Sequence, residues 1–292
     1  MFGLLLAFTC ALSWASYDVF RKQLGKTLEP LPLLVLLNVG LLPVFAIWWA
    51  IAGGTITDFH AYAPPAAGAL ALQIVANLLF LAAVRASPLS LTIPFLSLTP
   101  VFATLVGFLL LHEVPAATQL AGIGLVVAGA LTLGSVGEDG KIALFQTFVR
   151  ERGAWMMIGV SACWGTTSAL DKHALVSATV PIHALIQVCG VILAALSVLA
   201  VRGRLAALAG ARGQIGRLGL ATLAGAASLG LQLVTVQHVF VSQLETIKRA
   251  VGLVSAIVLG RLVFAEPITR IKLLSVAVMI AGVGLLVLRG PP

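Results

Sequence analysis

Charged residues are scarce in this chain of 292 residues. Asp, Glu, Lys and Arg together make up 10% of it, and the mean hydropathy is +1.09, whereas about 25% charged residues is usual in a soluble domain. This scarcity excludes an ordinary soluble protein, and repeated apolar runs of about 20 residues place most of the chain in a lipid bilayer. The alternating pattern of a membrane β-barrel is also lacking, so we expect an all-α integral membrane protein.

Cysteines and the usual motifs for metals and nucleotides are equally sparse. The three cysteines, Cys10, Cys163 and Cys189, lie in apolar runs, where thiols usually serve packing. The five histidines show no metal-site spacing, and a phosphate-binding Walker loop is lacking. We therefore expect no metal, no cofactor and no ATP-driven step. The net charge of +8 does not indicate a nucleic-acid partner, because the Lys and Arg residues lie in short loops between apolar runs.

Ten apolar segments predict ten transmembrane helices, numbered here in chain order. They cover 2–20, 32–52, 66–84, 90–111, 117–135, 154–173, 181–201, 217–239, 243–264 and 269–288. Pro43 lies in helix 2, and Pro94 and Pro100 lie in helix 4. Prolines at such positions free backbone carbonyls and predict kinks next to a cavity.

Helices 5 and 10 are rich in small residues. Their glycines Gly122, Gly129, Gly282 and Gly284 predict close helix contacts, because a residue without a side chain lets two backbones approach.

The two halves of the chain repeat. The first half is 1–135, the second is 154–292, and the linker 136–153 carries an apolar side that suggests a short interfacial helix. The recurrences are Trp14 and Lys22 with Trp164 and Lys172, Pro32 and Asn38 with Pro181 and Gln187, and Gly107, Glu113, Ala128 and Gly129 with Gly260, Glu266, Ala281 and Gly282. Five helices is an odd number, so the second half must enter the membrane from the opposite side. This predicts two inverted five-helix repeats, a plan frequent in secondary transporters.

Loop charges predict the orientation in the membrane. Thirteen basic residues fall on one side: Arg21, Lys22, Lys26, Arg85, Lys141, Arg150, Arg152, Arg202, Arg204, Arg212, Arg217, Arg270 and Lys272. The other side holds only Lys172 and Arg289. Since basic loops stay in the cytoplasm, both termini are expected outside it.

The segment 240–260 is the most unusual of the apolar runs, because Glu245, Lys248 and Arg249 lie in its first half. The spacings of three and four residues put all three on one helix face. A charge near mid-membrane costs about 2.5 to 3.5 kcal/mol, so it usually faces a partner or an aqueous cavity. Two interpretations stay open: the charges line a transport path, or they snorkel to the membrane surface from a helix end.

Two cations against one anion leave an excess positive charge on this face. Asp171, at the outer end of helix 6, is a candidate partner from another helix, and an anionic group on a solute is the alternative. Lys172 follows Asp171 directly. Snorkelling alone would keep both at the helix end, so a functional role and a surface role are both open.

Other polar or aromatic residues lie within the predicted spans. Trp14 and Trp164 sit mid-helix, away from the interfacial belts where Trp concentrates, and either pack on neighbours or line a cavity. Gln73 and Asn77 share one face of helix 3, and Gln232 lies in helix 8. Amides in lipid usually join helices, for about 0.6 to 2 kcal/mol, and are secondary candidates for solute ligands.

Three further carboxylates have structural interpretations. Asp18 is spaced to pair with Lys22 four residues on, with a proton-titrating role as the alternative. Glu113 and Glu266 begin the turns into helices 5 and 10, where we expect them to cap the helix N-termini.

Three segments resemble a known family: SPLSLTIPFLSLTPVFATLVGFLLLHE (87–113), SACWGTTSALDKHAL (161–175) and ETIKRAVGLVSAIVLGRLVFAEP (245–267). They are similar to helices 4, 6 and 9 of the drug/metabolite transporter superfamily, EamA type, the last two in one bacterial branch. The resemblance implies a ten-helix carrier of small metabolites with helices 1, 3, 4, 6, 8 and 9 around a central cavity. Ten-helix members keep their termini in the cytoplasm, whereas the loop charges here predict the reverse, which leaves import or export open.

The expected function is therefore a secondary transporter in the bacterial cytoplasmic (inner) membrane, moving a small polar or amphipathic solute with a proton or solute gradient. It is not expected to be an enzyme, because a lipid-modifying transferase needs carboxylates or histidines that converge at one interface. A lipid flippase or accessory subunit of the same fold is the alternative. Its partners are the bilayer and the solute, with a proton as candidate coupling ion; monomer and homodimer are both open.

Overall fold

The computed structural model describes residues 1–87, 93–134, 151–264 and 269–288. This part of the chain contains ten α-helices: α1 (Phe2–Leu24), α2 (Pro30–Ala52), α3 (Phe59–Ala86), α4 (Thr99–Leu111), α5 (Ala117–Gly134), α6 (Arg152–Ala174), α7 (Val180–Val201), α8 (Ile215–Thr235), α9 (Val241–Phe264) and α10 (Arg270–Leu288). Two 3-10 segments, Ile93–Leu98 and Leu205–Gly213, precede α4 and α8. The only pairing of β type among the described residues is one isolated bridge between Ile56 and Ala178.

Within the described ranges, seven segments are long and apolar enough to cross a membrane, so the chain is a multi-pass membrane protein. They are the helices α1, α2, α3, α7, α8 and α10 and the stretch Pro94–Leu111, which combines most of the first 3-10 segment with α4. The apolar part of α5, Ala117–Leu133, is one residue too short for this class. The two remaining helices, α6 and α9, carry the charged residues that the sequence singles out. That all ten helices span the bilayer stays a prediction.

The helix bounds follow the predicted segments to within a few residues, with three differences. α3 begins at Phe59 rather than at 66, because the Asp58 carboxylate accepts hydrogen bonds from His60 N at 2.9 Å and Ala61 N at 3.1 Å and so caps the helix. The predicted fourth helix begins as a 3-10 segment, and α-helix follows only from Thr99. α8 ends at Thr235 instead of 239.

The glycines of α5 and α10 confirm the predicted close contact, with one exception. A Cβ added to Gly122 would lie 2.5 Å from the carbonyl oxygen of Gly282, and one added to Gly282 would lie 2.7 Å from that of Gly122. Gly129 approaches the Ser275 carbonyl in the same way, at 2.9 Å. The prediction for Gly284 was wrong: nothing lies within 4 Å of its added Cβ, because it faces away from α5.

The helix contacts follow a regular scheme. α1 packs on α8 and α3 packs on α6; likewise α1 packs on α9 and α4 packs on α6. α2 packs on α7, and α5 packs on α10. Each helix of the first half corresponds to the helix five numbers later. Exchanging corresponding helices converts α1·α8 into α6·α3 and α1·α9 into α6·α4, and leaves α2·α7 and α5·α10 unchanged.

One end of the bundle is closed by loops from both halves. The loop before α3 and the loop before α7 exchange hydrogen bonds from Thr57 N to Ser177 O, at 2.9 Å, and from Thr179 N to Thr55 O, at 3.1 Å. The predicted interfacial helix of the linker 136–153 falls mostly on residues outside the described ranges, as does Glu266.

Candidate functional site

The acidic member of the α9 cluster is among the most deeply buried side chains of the described chain. Glu245 is 2% exposed. Its Oε1 accepts hydrogen bonds from Ser168 Oγ of α6, at 2.7 Å, and from Lys248 Nζ one turn further along α9, at 2.8 Å. A carboxylate inside a membrane protein needs such donors, because losing water without replacement is costly. Glu245 therefore points into the bundle and joins two helices of the second half.

Lys248 connects this carboxylate to α8 and α1. Besides Glu245, its ammonium donates to Gln232 Oε1 at 2.7 Å. It also lies 5.3 Å from the ring centroid of Trp14, within the range of a cation–π contact. The side chain is 16% exposed. These contacts from two other helices are not those of a lysine reaching for the membrane surface.

Arg249, the next residue, points to the other side of α9. Its Nη2 donates to Thr99 Oγ1 at the start of α4, at 3.1 Å, and its guanidinium lies 5.8 Å from the ring centroid of Trp164 on α6. Phe80 of α3 packs on the same indole, with ring centroids 6.1 Å apart. The two tryptophans that recur in the two halves thus each face one of two neighbouring cations of α9.

We name Glu245, Lys248 and Arg249 with the side chains that contact them the central cluster. Its contacts come from α1, α4, α6, α8 and α9, five of the six helices that the family resemblance implies around the cavity, while Phe80 of the sixth, α3, packs on Trp164. One carboxylate faces one ammonium and one guanidinium, so Glu245, Lys248 and Arg249 together leave one excess positive charge. Two buried donors in it, Trp14 Nε1 and Arg249 Nε, have no hydrogen-bond partner among the described residues.

Asp171 does not join this cluster, so its predicted role as the missing counter-ion was wrong. Its Oδ1 lies 3.2 Å from His183 Nε2 of α7. The other ring nitrogen, Nδ1, lies 3.1 Å from the hydroxyl of Tyr62 on α3. These three side chains form a second polar group near the end of the bundle that the loops before α3 and α7 close.

Lys172 and Glu113 form a third group at the same end. Lys172 Nζ donates to Glu113 Oε1 at 2.6 Å and to the carbonyl of Val239 at 2.8 Å. The second oxygen of Glu113 accepts from the backbone nitrogen of Val241, at 2.9 Å, and Val241 begins α9. Glu113 was predicted to cap α5; it caps α9 instead, because His112 has a left-handed conformation, φ 55°, that turns the chain back toward the bundle.

The remaining candidates make their hydrogen bonds and ion pairs outside the central cluster. Asn77 Nδ2 donates to the carbonyl of Gln73 in its own helix, at 2.7 Å, and so does not join two helices. Asn77 lines a narrow groove with residues of α2 and α7, Leu31 and Val191 among them. Asp18 pairs with Arg21 at 3.2 Å, one residue before the partner that the spacing favoured, and its carboxylate also interacts electrostatically with Arg249.

Several residues of the three groups carry no signal in the sequence. Ser168 and Thr99 are ordinary helix hydroxyls, and nothing in their spacing marks them as partners of Glu245 and Arg249. His183 is flanked by apolar residues in the chain, and Tyr62 follows His60 by two residues with no spacing that marks it as a partner of His183. Gly107 carried a weak signal, since it recurs with Glu113; a Cβ there would lie 3.0 Å from the Glu113 carboxylate, so the glycine makes room for it.

Comparison with known proteins confirms the family resemblance. Residues 1–135 match the EamA-like transporter family, which favours a transporter over an enzyme. No curated protein matches the chain. Among solved structures 29 chains match; one of them, described only as the crystal structure of a protein, superposes with a TM-score of 0.74 at 16% identity, over 98% of this chain and 96% of its own. At this identity the likeness concerns the fold alone.

Proposed function

We propose that this chain, with its EamA-like first half, is a secondary transporter that moves a small organic anion through the central cluster. The observation that carries the proposal is the excess positive charge held by Lys248 and Arg249 deep in the bundle. An uncompensated charge in a weakly screening interior is costly. A carboxylate or phosphate group on the solute offsets that charge when it binds.

Two donors of the central cluster have no hydrogen-bond partner among the described residues and are available to an anionic oxygen of the solute. Trp14 Nε1 and Arg249 Nε are buried, and hydrogen bonds from a cation to an anionic oxygen are roughly twice as strong as neutral ones. The indoles of Trp14 and Trp164 add apolar surface on both sides of the cations. A small anion with an apolar body fits this combination better than a purely polar one.

The scheme of helix contacts supports movement by alternating access. The contact pairs are converted into one another when corresponding helices of the two halves are exchanged, as two inverted five-helix repeats require. The solute sites of such carriers lie where the repeats meet. Trp14 and Trp164, which recur between the halves, meet α9 from both of them. Rocking one repeat against the other opens the central cluster first to one side of the membrane and then to the other.

The orientation remains the one that the loop charges predict. We place the protein in a bacterial inner membrane with both termini outside the cytoplasm, because basic loops are retained inside. The end closed by the loops before α3 and α7 is then the outer end.

A ligand screen tests the proposal at the level of solute class. Purified protein is melted with a panel of small carboxylates and phosphate esters, each beside its neutral amide or alcohol. An acid at 100 times its dissociation constant should add about 2.7 kcal/mol of stability, its neutral counterpart nothing, and Arg249→Gln should abolish the effect. Stabilisation by neutral compounds alone would contradict an anion site.

Uptake of each stabilising acid into proteoliposomes then tests transport. Accumulation in the lumen is expected. Movement of an anionic amphiphile between leaflets without uptake of any soluble acid would identify a flippase and overturn the carrier assignment.

A further inference from the structure

The group formed by Tyr62, His183 and Asp171 has no role in the central cluster. We call it the His183 group. His183 is fully buried, and Tyr62 and Asp171 are 3% and 7% exposed. Tyr62 belongs to the first half of the chain, while His183 and Asp171 belong to the second. A group without surface cannot touch a substrate at the membrane interface, which argues against a catalytic role.

Hydrogen-bond chemistry allows this group to hold an exchangeable proton. An ionised carboxylate only accepts, so the 3.2 Å contact with Asp171 requires a proton on Nε2 of His183. Nδ1 then accepts from the Tyr62 hydroxyl at 3.1 Å. When a proton adds to Nδ1, that nitrogen becomes a donor and the tyrosine oxygen becomes the acceptor. Both contacts of the ring persist in the two states, and the hydroxyl hydrogen of Tyr62 turns away from Nδ1 when that nitrogen is protonated.

The charge balance favours uptake of that proton. With neutral His183 and ionised Asp171 the group carries one buried negative charge; one added proton makes it neutral. Lys172, next to Asp171, is engaged by Glu113. Of the other described charged or titratable groups on the packed helices, Arg85, Arg152 and Arg217 lie at the opposite ends of α3, α6 and α8, and Glu245 is engaged by Lys248. Asp58, His60 and His173 lie near this end and are exposed, and α2 has no titratable residue.

We propose that the His183 group is a proton-binding site shared by the two halves of the protein. The proton comes from water at the end of the bundle where the loops 55–57 and 177–179 meet, since these loops lead directly into the helices carrying Tyr62 and His183. If the chain carries a solute as proposed above, this proton is the coupling ion; that clause alone rests on the proposed function.

Nitrogen NMR of histidine-labelled protein in lipid nanodiscs tests the site without any solute. The His183 signals, assigned by their loss in His183→Asn, should change reversibly between the neutral and the doubly protonated pattern as the pH is lowered. In Asp171→Asn the ratio of doubly protonated to neutral His183 at a given pH should fall, because the stabilising charge is removed. The exposed His60→Gln is the control and should change nothing.

A His183 that keeps the neutral pattern over the whole range overturns the proposal, and so does a titration that Asp171→Asn leaves unchanged. If Asp171→Asn does not fold, Tyr62→Phe is measured instead. The Nδ1 signal of His183 should then shift while its Nε2 signal does not, and an unchanged Nδ1 signal contradicts the contact between Tyr62 and His183. With a solute from the screen, solute-driven acidification of liposomes should be lost in His183→Asn while solute binding persists. Failure of this last arm alone removes the coupling clause and leaves the proton site.

Discussion

The carboxylate of Glu113, two residues after the end of α4, accepts a hydrogen bond from the ammonium of Lys172, at the end of α6, over 2.6 Å. Its second oxygen caps α9 through Val241 N. One side chain thus joins three helices from both halves at the end of the bundle. The Lys172 and Glu113 side chains are 21% and 6% exposed, so water screens this ion pair only partly.

Removal of Glu113 should therefore destabilise the protein. Glu113→Gln leaves Lys172 without its counter-ion, and we expect a loss toward the lower end of about 3 to 5 kcal/mol, since Lys172 keeps some contact with water. Thermal melts followed by size-exclusion chromatography measure this. The matched control is Glu29→Gln, which breaks the half-exposed pair with Arg204 and should cost less than about 1 kcal/mol. Equal melting temperatures of the two variants would contradict the prediction.

The two cations of the central cluster should be required for transport. Lys248→Ala and Arg249→Ala each remove the charge and a cation–π contact, so solute uptake should be lost while the protein still inserts into the membrane. Glu245→Gln should retain inserted protein but change the affinity or pH dependence of uptake. Arg202→Ala, in an exposed position, serves as the control. If the Lys248 and Arg249 variants transport at the parental rate with unchanged stability, the cluster has no part in the path.

The contact between α5 and α10 predicts a difference between two chemically identical substitutions. Gly122→Ala places a Cβ 2.5 Å from the Gly282 carbonyl, which forces the helices apart and should cost about 1 to 3 kcal/mol. Gly284→Ala meets nothing within 4 Å and should leave stability equal or slightly higher, because alanine favours a helix. Melting temperatures in the same detergent compare the two, and a Gly284→Ala loss as large as that of Gly122→Ala would rule out the contact.

The orientation can be read by labelling with a membrane-impermeant thiol reagent in intact cells. In a background without Cys10, Cys163 and Cys189, a cysteine added at the C-terminus should react. Glu138→Cys, in the linker, should react only after the cells are opened, because basic loops lie inside. The opposite pattern would invert the predicted topology and bring it into line with the known ten-helix members.

Helix positions and two of the functional contacts were predictable from particular residues. The α9 cluster was visible because charge is rare in an apolar run, and Trp14 and Trp164 were visible because they recur. Both indoles do meet the cations of α9. Asp171 and Gly284 were predicted wrongly for one reason: helical spacing tells which residues share a face, but not which neighbour that face meets.

The sequence by itself determined that this chain is a bundle of apolar helices, because the backbone must satisfy its own hydrogen bonds in a bilayer and the alternating pattern of a barrel is lacking. It also determined which helix carries the excess charge. The repetition of its two halves is a prediction from the same sequence. Only the tertiary structure decided which polar groups meet: Glu113 with Lys172 and α9, Asp171 with His183, and Thr99 with Arg249. Those contacts depend on the rotation and tilt of each helix against its neighbours, which are set by packing over the whole bundle and not by any one segment.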